Sequence, residues 1–165
     1  TAVCAAISLP LGQSTTATKV YETREALANG AAEIDFVINV GALKSGKSSY
    51  VGDEIAAIVQ ACEGRPSKVI LETCYLTDAE KAAVCLMAIE AGATFVKTST
   101  GMAAAGATIP DVLLMSAISA GRIQVKAAGG IRTLDQVLAF IDAGCTRIGT
   151  SRAEAILDEA VLVLP

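Results

Sequence analysis

Two lysines in this chain occupy settings that suit few lysines. Lys97 lies in Phe95-Val96-Lys97-Thr98-Ser99-Thr100-Gly101, inside a β-branched and aromatic run that gives way at once to hydroxyls and a glycine. On a strand, successive side chains point to opposite faces, so Lys97 and Phe95 share one side and Val96 and Thr94 the other. An ammonium group taken out of water favours its neutral form, which lowers its pKa and leaves an amine able to form an imine with a carbonyl. The competing reading is a strand-end lysine whose head reaches water. Lys126 occupies the same setting in Val125-Lys126-Ala127. In one enclosed site the two amines would repel, and at least one pKa would fall. Asp35, in Glu33-Ile34-Asp35-Phe36-Val37-Ile38-Asn39, and Glu72, in the run from Lys68 to Thr73, offset that charge if they point inward. A buried salt-bridge layer without chemistry is the alternative for this quartet. Small-residue turns follow two of the strands, at Gly129-Gly130 and at Gly149-Thr150-Ser151. The glycine pair alone reads equally well as a tight turn. With a second turn that opens a helix it becomes an anion site, because helix N-termini present free amides to a phosphate.

The elements that must carry these residues alternate along the whole chain. An apolar run from Thr1 to Leu9 reads as a strand, and Thr18 to Asn29 as a helix closed by Gly30. The Asp35 strand is followed by a loop from Gly41 to Gly46. A helix through Ile55, Ile58, Val59 and Cys62 ends near Gly64, and the Lys68 to Thr73 strand carries Glu72. Thr77-Asp78-Ala79-Glu80 and Thr133-Leu134-Asp135-Gln136 have the spacing of capping boxes, and Thr108-Ile109-Pro110-Asp111 places proline in a first helical turn. Further helices close at Gly92, Gly121 and Gly144, and a last one runs from about Ala153 to the end.

Composition narrows the function. The 165 residues suffice for one domain of ordinary size, 53% of them are hydrophobic and only 4% aromatic, which suits an α/β protein whose strands are covered on both faces. A net charge of −4 without a basic patch argues against nucleic acid. No run of about 18 apolar residues is present, so no membrane span is expected. The 5 cysteines are scattered and there is no histidine. Buried reduced thiols of a cytosolic protein are expected, and Ser-His or Cys-His hydrolases and the usual zinc sites are removed from consideration. The chain opens on Thr1 inside an apparent strand, so it is expected to begin partway through a gene product.

Repeated β-α units of this rhythm demand a parallel sheet. An open doubly wound sheet would usually carry a G-x-G-x-x-G turn near its start, and none is here. The small-residue turns instead follow the last two strands, where a (β/α)₈ barrel builds its phosphate site. The fold expected is therefore α/β, a TIM (β/α)₈ barrel with six of its eight units in residues 1–165 as a single partial domain, the first two units missing.

The segments 95–101, 33–39, Val125-Lys126-Ala127-Ala128-Gly129-Gly130-Ile131-Arg132 and Arg147-Ile148-Gly149-Thr150-Ser151 resemble the signatures of the deoxyribose-phosphate aldolase family, in order along essentially the whole chain. The resemblance implies a class I aldolase, free of metal and cofactor, that cleaves 2-deoxy-D-ribose 5-phosphate to D-glyceraldehyde 3-phosphate and acetaldehyde in deoxyribonucleotide and carbohydrate catabolism. It makes Lys97 the Schiff-base nucleophile, Lys126 the lysine that depresses its pKa, and Asp35 the acid that shuttles protons through a water. Gly129, Gly130, Gly149 and Ser151 would hold the phosphate, with Thr100, Gly101 and Glu72 near the substrate. A cytoplasmic homo-oligomer, dimer or tetramer, is implied, with a sugar phosphate as its partner and neither nucleic acid nor membrane. Two departures stand out. The family has two more barrel strands ahead of the position of Thr1, which contribute an aspartate. It often has a second serine where this chain has Arg152, which either pairs with phosphate or points outward. A transaldolase-like enzyme and an inactive truncated fragment are the alternatives.

Overall fold

The computed structural model describes residues 1–163. Six strands, β1 (Cys4–Ile7), β2 (Glu33–Val37), β3 (Ser67–Ile70), β4 (Phe95–Lys97), β5 (Gln124–Ala128) and β6 (Arg147–Gly149), form one sheet in sequential order. Every neighbouring pair is parallel. Sequential order means that each connecting helix crosses back over the same face, as in a barrel wall; a doubly wound sheet would reverse its order at a switch point. The architecture is thus a six-stranded part of a TIM-like barrel. Helices α1 (Thr16–Ala28), α3 (Ser48–Ala61), α4 (Asp78–Glu90), α5 (Ile109–Ser119) and α6 (Leu134–Asp142) make the crossovers. A short α2 (Val40–Lys44) precedes α3, and α7 (Ala153–Val163) follows β6. The expected extension of α7 to the chain end reaches Leu164 and Pro165, outside the described residues.

Strand alternation separates an oily face from a charged one. Ile34, Phe36, Val69, Val96, Val125 and Ala127 point outward and pack with Ile55, Ile58, Val84, Val112 and Met115 in one core. Each fully buried Val, Ile, Phe or Met side chain among them contributes about 1.5–3 kcal/mol. The intervening residues, Asp35, Lys68, Phe95, Lys97, Lys126 and Arg147, face the barrel interior. Local signals set where the helices begin: both expected capping boxes close, Thr77 with Glu80 and Thr133 with Gln136, and Thr108 caps α5 ahead of Pro110.

Several expectations change. The Gly41–Gly46 segment is largely the helix α2, because the Asn39 side chain accepts from the Ala42 amide and supplies a cap that outweighs the glycine. The strand expected to reach Thr73 stops at Ile70, and Glu72 stands beyond it with φ 55°, ahead of a single 3₁₀ turn. Cys62, Cys85 and Cys145 are buried as expected, whereas Cys4 and Cys74 are exposed. No helix among the described residues is long and apolar enough to cross a membrane.

Candidate active site

Asp35 is the centre of the interior. Its Oδ2 accepts hydrogen bonds from Lys97 Nζ and from Lys126 Nζ, each at 2.8 Å. Its Oδ1 lies 2.7 Å from Lys68 Nζ and 3.1 Å from Cys4 Sγ. The strands explain the meeting. Lys97 and Lys126 are direct partners in the β4–β5 register, and Asp35 is the register partner of Lys68 one strand further back. Thr98, the residue after Lys97, both donates to the Ala128 carbonyl and accepts from its amide, at 3.1 Å each, which pins the ends of β4 and β5 together.

Electrostatics follow from these contacts. Burial by itself would raise the Asp35 carboxyl, but the charge of Lys97 and the hydrogen bonds from Lys126, Lys68 and Lys97 hold it well below the usual carboxylate range. Burial pulls Lys126 below free lysine; its bond to Asp35 opposes this, and the ammonium groups of Lys97 and Lys68 add to the fall. Lys68 is fully buried, yet its bonds to Asp35 and Glu33 outweigh desolvation and raise it. Counting Arg147, which bonds Glu33 from β6, the interior sets four cations against two carboxylates. Such an interior favours releasing a proton from a lysine.

Glu72 does not take the charge-offsetting role expected of it. Its carboxylate accepts from the Thr100 amide at 3.2 and 3.3 Å and from the Thr100 hydroxyl, so it anchors the loop after β4. Glu33, two residues before Asp35 and therefore on the same face, supplies the second negative charge. Lys68, Glu33 and Arg147 join the site beyond the residues expected from the sequence. The signal for Lys68 was a lysine at the start of the run Lys68-Val69-Ile70-Leu71, the same anomaly that marked Lys97.

A cavity of about 390 Å³ opens beside the lysines, within the range of small-molecule sites. Lys97, Thr100, Gly101, Gly129, Gly130, Gly149 and Ser151 all line it, as does Arg132. The two glycine turns are tied together, since Thr150 Oγ1 donates to the Ile131 carbonyl at 2.7 Å. Backbone contact is close here: a Cβ on Gly149 would stand 2.8 Å from Ala128 Cβ and 3.3 Å from Lys126 Cε, so only glycine leaves the lysine stem its place. Arg152 is exposed and outside the cavity lining; its amide donates to Thr150 Oγ1. A larger cavity of about 470 Å³ lies between α3 and α4, away from the lysines.

Known proteins resemble this chain along most of its length. A family model described as DeoC/LacD family aldolase matches residues 4–151. A deoxyribose-phosphate aldolase of Streptococcus pneumoniae (strain CGSP14) is 55% identical over 155 residues, covering 94% of this chain and 70% of that protein. Among solved structures, QR15, an aldolase, superposes with a TM-score of 0.94 at 43% identity, over 99% of this chain and 76% of its own. The deoxyribose phosphate aldolase from Aeropyrum pernix, described as a unique tetrameric structure, gives 0.88 at 32% identity, over 99% of this chain and 69% of its own. With a family model matching most of its length and a relative at 55% identity, the chain belongs to the deoxyribose-phosphate aldolase family of enzymes.

Proposed function

We propose that this aldolase cleaves 2-deoxy-D-ribose 5-phosphate to D-glyceraldehyde 3-phosphate and acetaldehyde through an imine on Lys97. The observation that carries the reading is the position of Lys97: it lines the same cavity as both glycine turns, and its amine is bonded to Asp35. The neutral amine adds to the C1 aldehyde, and the carbinolamine loses water to give a protonated imine. The C2–C3 bond then breaks, its electron pair forming an enamine while the C3 hydroxyl gives up its proton and becomes the carbonyl of glyceraldehyde 3-phosphate. The enamine takes a proton at C2, and water hydrolyses the imine to acetaldehyde and free Lys97. Lys126, lowered below free lysine, is the ready proton acceptor, and Asp35, bonded at one oxygen to both amines, passes the proton between them.

The amides of Gly129, Gly130 and Gly149 and the Ser151 hydroxyl hold the 5-phosphate just ahead of α7, where the helix dipole favours an anion. Arg132 adds a positive charge at the cavity wall. Thr100 and Gly101 flank the sugar, with Glu72 fixing Thr100. Residues 1–165 form a single partial domain of a complete (β/α)₈ barrel, and two further units ahead of β1 close the sheet between its free edges at β1 and β6. The enzyme works in deoxyribonucleotide and carbohydrate catabolism, in the cytoplasm, as a homo-oligomer. Borohydride trapping with acetaldehyde followed by peptide mass mapping tests the central step. A reduced adduct on Lys97 is expected, together with a higher pH requirement for trapping in Lys126→Leu; an adduct confined to another lysine overturns the assignment.

A further inference from the structure

The barrel interior also holds a bridge whose groups form and break no bond of the proposed cleavage. Arg147 on β6 reaches across to Glu33 on β2, 114 positions away in the chain, and stacks its guanidinium 4.6 Å from the Phe95 ring centre on the way. Glu33 Oε2 in turn sits 2.6 Å from Lys68 Nζ, and Lys68 sits 2.7 Å from Asp35 Oδ1. We infer that Arg147 and Glu33 are positioning residues: by holding Lys68 on Oδ1 they leave Lys97 and Lys126 a single shared acceptor, Oδ2, and so set how many protons the two amines keep. The groups facing this centre are Cys4 from β1, Glu33 and Asp35 from β2, Lys68 from β3, Lys97 from β4, Lys126 from β5 and Arg147 from β6. Arg147 does not deprotonate. Lys68 is clamped by two carboxylates, and Glu33 is held below the usual carboxylate range first by its bond from Lys68 and further by Arg147. The excess of positive charge therefore falls on the two amines that share Oδ2.

The inference rests on imine formation at these lysines, and charge removal tests it with opposite signs. Glu33→Gln keeps the shape and deletes a negative charge, so the amines release protons more easily. The acid limb of the rate of borohydride-trapped adduct formation moves to lower pH. Arg147→Met deletes a positive charge and moves the limb to higher pH. Each shift is about half a pH unit or more. The double variant returns toward the parent. Arg147→Lys keeps the charge, loses the planar fork, and holds the parent limb. Loss of rate with an unmoved limb, shifts of the same sign, or a limb in Arg147→Lys displaced as far as in Arg147→Met would overturn the inference. Mass mapping of the adduct separately tests which lysine reacts. The limb shift is read whichever of the two carries the adduct.

Discussion

Two buried charge clusters lie on opposite faces of β2, and they behave differently. On the helix side, Lys19 of α1 and Glu54 of α3 form a 2.8 Å pair with neither side chain exposed. Lys19 also donates to the Val37 carbonyl, and Glu54 accepts from the Asn39 amide, so the pair staples two helices to the end of the strand. Charge there is balanced one to one, and burial moves Lys19 down and Glu54 up, each toward its neutral form. On the barrel side, Asp35 has three lysines, and the directions for the acid reverse: its carboxyl is held down. Burial is common to both clusters. What separates them is the number of partners and the surplus of positive charge, and a surplus gives an amine a reason to lose its proton.

The comparison can be broken most decisively at Lys97. Lys97→Ala is expected to lower the cleavage rate by roughly 10⁴-fold, since it deletes the nucleophile, with little loss of melting temperature because the interior sheds a surplus cation. The helix-side pair should show the reverse. Glu54→Leu strands Lys19 and is expected to cost about 3–5 kcal/mol in denaturant unfolding, while Lys19→Met with Glu54→Leu recovers most of it. Activity of the double variant stays within a few-fold of the parent. A double variant as unstable as the single one would mean that the pair is more than a staple.

Acid titration sharpens the contrast at smaller amplitude. Asp35 titrates lower in the folded state than in the unfolded chain, where its value is about 3.9. Its stabilising contribution is therefore complete above that value and is lost as pH falls toward the folded one. Glu54 is shifted upward and has the opposite sign. Asp35→Asn is expected to lower the melting temperature at pH 7, with a deficit that shrinks as the pH is taken from 5 to 3. A constant deficit across that range would show that Asp35 acts through packing alone.

Much of the site was legible because its residues violate local expectation. A lysine within Phe95-Val96-Lys97 and an acid within Ile34-Asp35-Phe36 interrupt runs that hydrophobic burial would otherwise fill. Cap spacing was equally readable, as both capping boxes close. Glu72 reads as a strand residue because it follows an apolar run without a break. Only the turn in the backbone takes it off the strand and onto Thr100. Lys68 and Arg147 do not declare a role locally, because a lone cation at a strand start usually reaches water.

The chain alone determined which units alternate, where most helices start and stop, and which strands carry an amine or an acid among apolar neighbours, because these depend on neighbours a few positions apart. Tertiary structure decided which carboxylate oxygen each lysine receives, that Glu33 and not Glu72 balances the charge, and that Arg147 crosses the interior to Glu33. Those contacts join residues from 28 to 114 positions apart. Strand tilt and register bring such residues together, and the curvature of a whole sheet sets both.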